Sequence, residues 1–274
     1  MENVNVSGCN IVIDGDVKGQ VCCGGIAGRI VTATVANCTV DGKISASTSS
    51  SGVRVGGIVG ITFARSVIAD CHAEVTVTGY SSDNNAFAGG IAGNIEDTTV
   101  ARCSSNATVS ASGSGNVYVA SGGVVGYAHT ASVIYDCYSS GSVSGSNRRV
   151  ECRVGGVVGA LGGATVTRCY STCTVFSQSE DNAIAGGIVG HLLSADYSNS
   201  VSACLSLASV SADNYGGWYT YTGKIYGYKA SGSLSNNPTS KTDTVDFYTS
   251  TLGWSAEVWD FSAVTSGALP TLKR

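Results

Sequence analysis

Gly24-Gly25-Ile26-Ala27-Gly28 returns as Gly56-Gly57-Ile58-Val59-Gly60, Gly89-Gly90-Ile91-Ala92-Gly93, Gly122-Gly123-Val124-Val125-Gly126, Gly155-Gly156-Val157-Val158-Gly159 and Gly186-Gly187-Ile188-Val189-Gly190. The spacing between copies is 31 to 33 residues throughout. A degenerate copy, Gly223-Lys224-Ile225-Tyr226-Gly227, closes the series, read here with Thr222 in place of the first glycine. A fixed period of this length is the mark of stacked repeats that share one core, rather than of independent domains.

Outward from the glycine phrase, each repeat carries Val/Ile-x-x-Cys. The cysteines are Cys38, Cys71, Cys103, Cys137, Cys169 and Cys204, with Val6 to Cys9 read as the first copy. Four and six residues past the cysteine stand a small or apolar residue and an aliphatic, as in Val75 and Val77. Before the glycines, positions alternate again, as in Val53 and Val55. Spacing by two marks strands with one buried face. Three short strands and three turns per repeat predict an all-β fold, a parallel β-solenoid of about seven coils. The glycine phrase should turn a tight corner, where backbones approach or φ is positive. A β-propeller is the alternative, since its blades are repeats of similar length.

Composition supports strands over helices. The chain has 37 glycines, 2 prolines and 12% charged residues, against roughly 25% charged in an average globular protein. Net charge is −4 without a basic block, which argues against nucleic acid as a partner. No apolar run reaches the roughly 18 residues of a membrane span. Residues 1–5 do not read as a signal peptide. Either Met1 follows a removed leader and the protein is extracellular or on the cell surface, or it is cytoplasmic.

The cysteine column reads as buried free thiols. Metal-binding spacing is absent and side chains of one ladder point the same way, poorly aimed for disulfides. Cys22 and Cys23 should face opposite sides, with Cys22 the more exposed and reactive. The residue before each column cysteine runs Asn37, Asp70, Arg102, Asp136, Arg168, Ala203. Alternating charge in a stack holds register.

No catalytic set is visible. His72, His129 and His191 occupy different repeat positions, and Glu96-Asp97 and Glu180-Asp181 read as solvated turn charges. The expectation is a non-enzymatic chain with no catalytic residue, metal or cofactor. Aromatic residues concentrate late: Tyr215, Trp218, Tyr219, Tyr221, Tyr226 and Tyr228, then Trp254 and Trp259. Tyr215, Trp218, Tyr219 and Tyr221 are the candidate residues for a glycan or protein partner. Residues 231–274 are expected to cap the solenoid formed by 1–230, with a short helix at 250–261 laying Leu252, Trp254, Val258 and Trp259 over its C-terminal end. The N-terminal coil has no such cover, so the expectation is either that the natural protein continues N-terminally or that the chain self-associates through this coil.

Gly-Gly-[Ile/Val]-[Val/Ala]-Gly with Val-x-x-Cys between copies resembles the GLUG repeat family over about residues 1–230. The resemblance implies a bacterial surface protein, adhesin-like or akin to the non-catalytic regions of IgA-cleaving metallopeptidases. It implies a structural or adhesive module, with a glycan or a surface protein, of host or bacterium, as partner. A glycan-binding or glycan-cleaving β-helix is the alternative.

Overall fold

The computed structural model describes residues 1–17, 19–194 and 198–273. It is a parallel β-solenoid of about seven coils. Each coil has four sides rather than the three expected, and in the two coils after Cys169 and Cys204 the long strand is split in two. In the second coil the four sides are the strands Thr39–Thr48, Val53–Gly56, Val59–Phe63 and Ser66–Ala69. The additional strand is the one leaving the glycine phrase. Each strand pairs in parallel with its equivalent in the neighbouring repeat, building four sheets along the axis. A propeller blade would pair its strands within one repeat, so this pairing excludes the propeller.

Register is continuous. Val21, Val53, Ala86, Val119, Cys152, Ala183 and Thr220 pair in sequence along the sheet that enters the glycine corner. The six column cysteines are buried and free. They climb one coil at a time: His72, Ser104, Tyr138, Tyr170 and Leu205 each donate a backbone N–H to the cysteine carbonyl of the preceding coil at 2.9–3.1 Å. Each thiol lies 3.1–3.3 Å from the carbonyl oxygen two residues before it. Cys9 is not a member of this column. Asn5 pairs with Thr39 and Cys9 with Gly42, across an irregularity between Val6 and Cys9 that contains Gly8 at φ 64°. The Asn5–Thr39 pair puts Val4 in the column position, and one inserted residue then shifts the register beyond Val6.

The glycine corner rests on close approach alone. None of the paired glycines has positive φ. A β-carbon on Gly57 would lie 2.1 Å from the Gly90 carbonyl oxygen, and one on Gly123 or Gly156 would meet the next coil at 2.1 Å. The second glycine therefore exists to admit the coil that follows. This corrects the reading of the seventh copy. Gly186 pairs with Gly223 and the Lys224 carbonyl approaches Gly187, so the first glycine is kept and Lys224 replaces the second. Among the described residues no coil stacks beyond Lys224, so its side chain is tolerated; its ammonium donates to the Ala208 carbonyl at 2.6 Å.

Left-handed backbone sits instead at the residue before each cysteine: Asn37, Asp70, Arg102, Asp136, Arg168 and Ala203 have φ between 50° and 55°. That conformation costs a non-glycine residue about 1–2 kcal/mol, least for Asn and Asp. Its recurrence in six coils marks a fixed corner.

Two apolar assemblies fill the coils. The main core runs the length of the solenoid. A second, smaller one lies outside it, where the sheets on either side of the glycine corner face each other: Phe87, Ala120 and Ala160, with Tyr127 against them. The strand Ser233–Ser235 still belongs to the solenoid, so coil seven extends past residue 230.

The C-terminal tail covers the solenoid from its flank, not across its end. The outward position just after the column cysteine reads Thr39, His72, Ser104, then Tyr138, Tyr170, Leu205. The tail buries the apolar half of that ladder. Tyr248, Leu252, Trp254, Trp259 and Val264 cluster with Tyr170 and Leu205. The Trp254 indole donates to the Ala203 carbonyl at 3.0 Å, Trp259 to the Asp136 carboxylate at 3.2 Å, and the Tyr170 hydroxyl to the Pro270 carbonyl at 3.0 Å. Further along, Leu272 and Lys273 reach a hollow of about 290 Å³ beside Asn37, Asp70 and Arg102. The helix expected over 250–261 does not form. A single π-helical turn, Phe247–Thr251, and a 3-10 turn, Val264–Ser266, bend the chain around its aromatic residues.

Candidate binding surface

Asn214 ends the strand Ser209–Asn214 and shapes the turn that follows. Its side-chain oxygen accepts from the backbone N–H groups of Gly216 and Trp218 at 3.0 and 3.1 Å, an Asx-type closure. Gly217 takes φ 81°. A β-carbon on Gly216 would strike the Glu180 carbonyl at 1.9 Å, so the turn lies flush against the preceding coil. The turn thus carries Trp218 and Tyr219 outward, 66% and 62% exposed.

The four aromatic candidates divide between two places. Tyr219, Tyr221 and Tyr228 form a chain of rings with centroids 6.0 and 4.8 Å apart, continued by His191 5.0 Å from Tyr228. Trp218 borders a hollow of about 430 Å³ with Arg149, Glu180, Asp181 and Gly216. Tyr215 belongs elsewhere: its hydroxyl donates to the Asn147 carbonyl at 2.9 Å, and it lines a separate depression with Tyr80 and Arg148. Its hydrogen bond ties one coil to another.

Charged groups that the sequence left scattered meet beside this surface. Glu151 contacts Arg153, and His191 Nδ1 lies 3.3 Å from Glu151 Oε1. Burial alone would push the Glu151 carboxyl up, but His191 and Arg153 overcome that and hold it below its ordinary value. Arg153 stacks on Tyr118, 4.5 Å from the ring centroid. Asp181 is pushed up by partial burial and by the charge of Glu151. Glu151 and His191 stand forty residues apart but one coil apart in space, which is why repeat position alone did not unite them.

The remaining polar features hold the fold. Asp70 and Arg102 form a two-pronged ion pair with both contacts at 2.7 Å, and Asp136 and Arg168 repeat it at 2.8 Å. The first pair is about one-third exposed on each side, so it contributes at most about 1 kcal/mol. Asp136 is 5% exposed and also accepts from Trp259, so it joins the ladder to the tail. His129 lies 3.8 Å from Glu96, and His72 is 2.8 Å from the Ser104 hydroxyl. The three histidines do not converge. Cys22 is half-buried and Cys23 buried, as their opposed faces require. Burial pushes the Cys22 thiol up despite Arg54 and Arg29, the direction opposite to that which activates a thiolate. Among the described residues no three His, Cys, Asp or Glu side chains gather as metal ligands, and no helix is long and apolar enough to cross a membrane.

The GLUG motif matches residues 51–78 and 118–144. Each span runs from the strand entering a glycine phrase, round the corner and past the column cysteine, into the long strand beyond. No curated protein and no solved structure matches the chain. The matched spans are the second and fourth of the six regular phrases, and the other four hold the same register in the same sheets. The chain carries the GLUG motif in two of its repeats, and those repeats stack with the others as a parallel β-solenoid.

Proposed function

We propose that the chain is a non-catalytic structural and adhesive module, working outside the cell or on its surface, which presents a binding surface on a stiff rod. One observation carries this reading. Ion pairs and buried thiols along the coils are used in holding repeats together, whereas Trp218 and Tyr219 are held outward by a turn locked to the coil beneath. Large aromatic groups exposed in this way mark contact surfaces.

Self-association belongs to the same proposal. Asn5–Asp14, Val21–Gly24, Ala27–Val31 and Thr34–Ala36 are the first strands of their sheets, with half-buried Val6, Ile11 and Ile13 behind them. Such an edge accepts another strand.

An adhesion assay tests the reading. The chain, coupled to beads, should retain glycan-bearing or protein-bearing surfaces, and Trp218→Ala should reduce retention. Sedimentation of the free chain over a range of concentrations should show association. Catalytic turnover that disappears when Glu151 or Asp181 is replaced by its amide would overturn the non-catalytic reading; retention indifferent to Trp218 would overturn the assignment of the surface.

A further inference from the structure

The hollow beside Trp218 combines three chemistries. Trp218 offers a broad apolar face, 66% exposed, at one wall. Glu180 and Asp181 supply carboxylate acceptors, and Arg149 a fork of donors. Next to it stand Tyr219 and Tyr221, with Tyr118 and Arg153 on the coils before them. An apolar plate flanked by convergent acceptors and donors matches a ligand with one apolar face and a rim of hydroxyl groups. A hexopyranose has that form: its axial C–H bonds make one face apolar, and its equatorial hydroxyls donate to carboxylates and accept from a guanidinium. Charge narrows the class. One arginine and two acidic residues line the hollow, so the site is net negative and repels sugar acids.

We infer that this hollow binds an uncharged hexopyranoside, with Trp218 stacked on the sugar, Glu180 and Asp181 accepting its hydroxyls, and Tyr219 and Tyr221 carrying the adjoining sugar unit. The inference rests on the adhesive reading above and names the chemistry of its ligand.

Several features prepare the site in advance. Asn214 fixes the turn through two backbone donors, and its side-chain amide also donates to the Asp181 carbonyl. The two walls are thereby fastened together before any ligand arrives, which lowers the ordering cost of binding. Glu151 lies close enough to raise the Asp181 carboxyl, while its own charge is occupied by Arg153 and His191.

The test uses the full chain and an array of uncharged gluco-, galacto-, manno- and N-acetylhexosaminyl oligosaccharides, with oligogalacturonate as the acidic comparison. Binding is read by titration calorimetry and by saturation transfer to sugar protons. The expected result is binding to at least one uncharged series and none to oligogalacturonate. Trp218→Ala should weaken it at least tenfold, with an unchanged circular dichroism spectrum. The double substitution Glu180→Gln, Asp181→Asn should reduce the discrimination against oligogalacturonate. Three results would overturn the inference: no binding across the uncharged array, equal binding of oligogalacturonate by the parent, or binding untouched by Trp218→Ala. Chromatography of the recovered sugars separates this from the broader reading. Shortened oligosaccharides would refute the non-catalytic module while leaving the sugar site in place; intact sugars that fail to bind would refute the site alone.

Discussion

Gly156→Ala is expected to destabilise the solenoid by about 3 kcal/mol or more, at the upper end of overpacking effects. The added carbon would lie 2.1 Å from the Gly187 carbonyl oxygen and 2.4 Å from the Ser171 hydroxyl. A side chain in that position could rotate away, but a carbonyl in a sheet ladder cannot move without breaking the pairing of both coils. The lesion sits between the fifth and sixth coils, so unfolding should spread to both sides, because each repeat is stabilised by its neighbours. Lys224→Ala provides the control: it changes the equivalent position in the last coil, where no following carbonyl approaches. Thermal melts decide this. If Gly156→Ala melts together with Lys224→Ala and the parent, the close stacking at the glycine corner is wrong.

Removing residues 240–274 is expected to leave a chain that aggregates. The deletion uncovers the flank formed by Tyr138, Tyr170 and Leu205, whose side chains pack with Tyr248, Trp254 and Trp259 in the intact protein. It also removes the indole donor to buried Asp136. Truncating one buried tryptophan typically costs about 3–5 kcal/mol, and here two are lost. In full-length chains, Trp259→Ala should therefore lower stability more than Trp218→Ala, whose indole is exposed. Sedimentation of the truncated chain is the measurement; a monomeric, soluble product as heat-stable as the parent would show that the tail does not protect the flank.

The architecture was legible because a solenoid writes itself repeatedly. Each coil restates the glycine phrase, the cysteine and the spacing by two, so noise in one copy is corrected by the others. The strand after the glycines escaped notice because its residues are buried on both faces: Ile61 lies in the outer cleft while Thr62 faces the main core. Without alternation of apolar and polar residues, the signal for a strand weakens. Cys9 misled for the converse reason. It preserves the spelling Val-x-x-Cys, yet Asn5 pairs with Thr39, so Val4 stands opposite Cys38 and Cys9 lies within the long strand, opposite Gly42.

The tail shows what a column reading could have found. Comparing the residue after each cysteine along the stack reveals the change from Thr39, His72 and Ser104 to Tyr138, Tyr170 and Leu205. An outward ladder that turns apolar midway calls for a covering segment on the flank, and the late tryptophans supply it. The binding surface was only half legible. Exposed Trp218, Tyr219 and Tyr221 stand close together in sequence, but their neighbours Arg149, Glu151 and Asp181 come from earlier coils. Bringing them in requires the exact coil lengths, which vary from repeat to repeat.

Distances along one column measure the stacking of the coils. Ser45, Thr78, Ser110, Ser144, Phe176 and Ser211 pair in order along the long sheet. With Cys9→Ser and Cys22→Ser to silence the partly exposed thiols, nitroxide labels are placed at residue 45 and, in turn, at 144 and 211, and their separation is measured by pulsed dipolar spectroscopy. At about 4.8 Å per coil, the backbone separations should rise from about 14 Å across three coils to about 24 Å across five. A distance that grows in proportion to coil number supports the solenoid; a distance from 45 to 211 no longer than that from 45 to 144, as a closed ring would give, would contradict it.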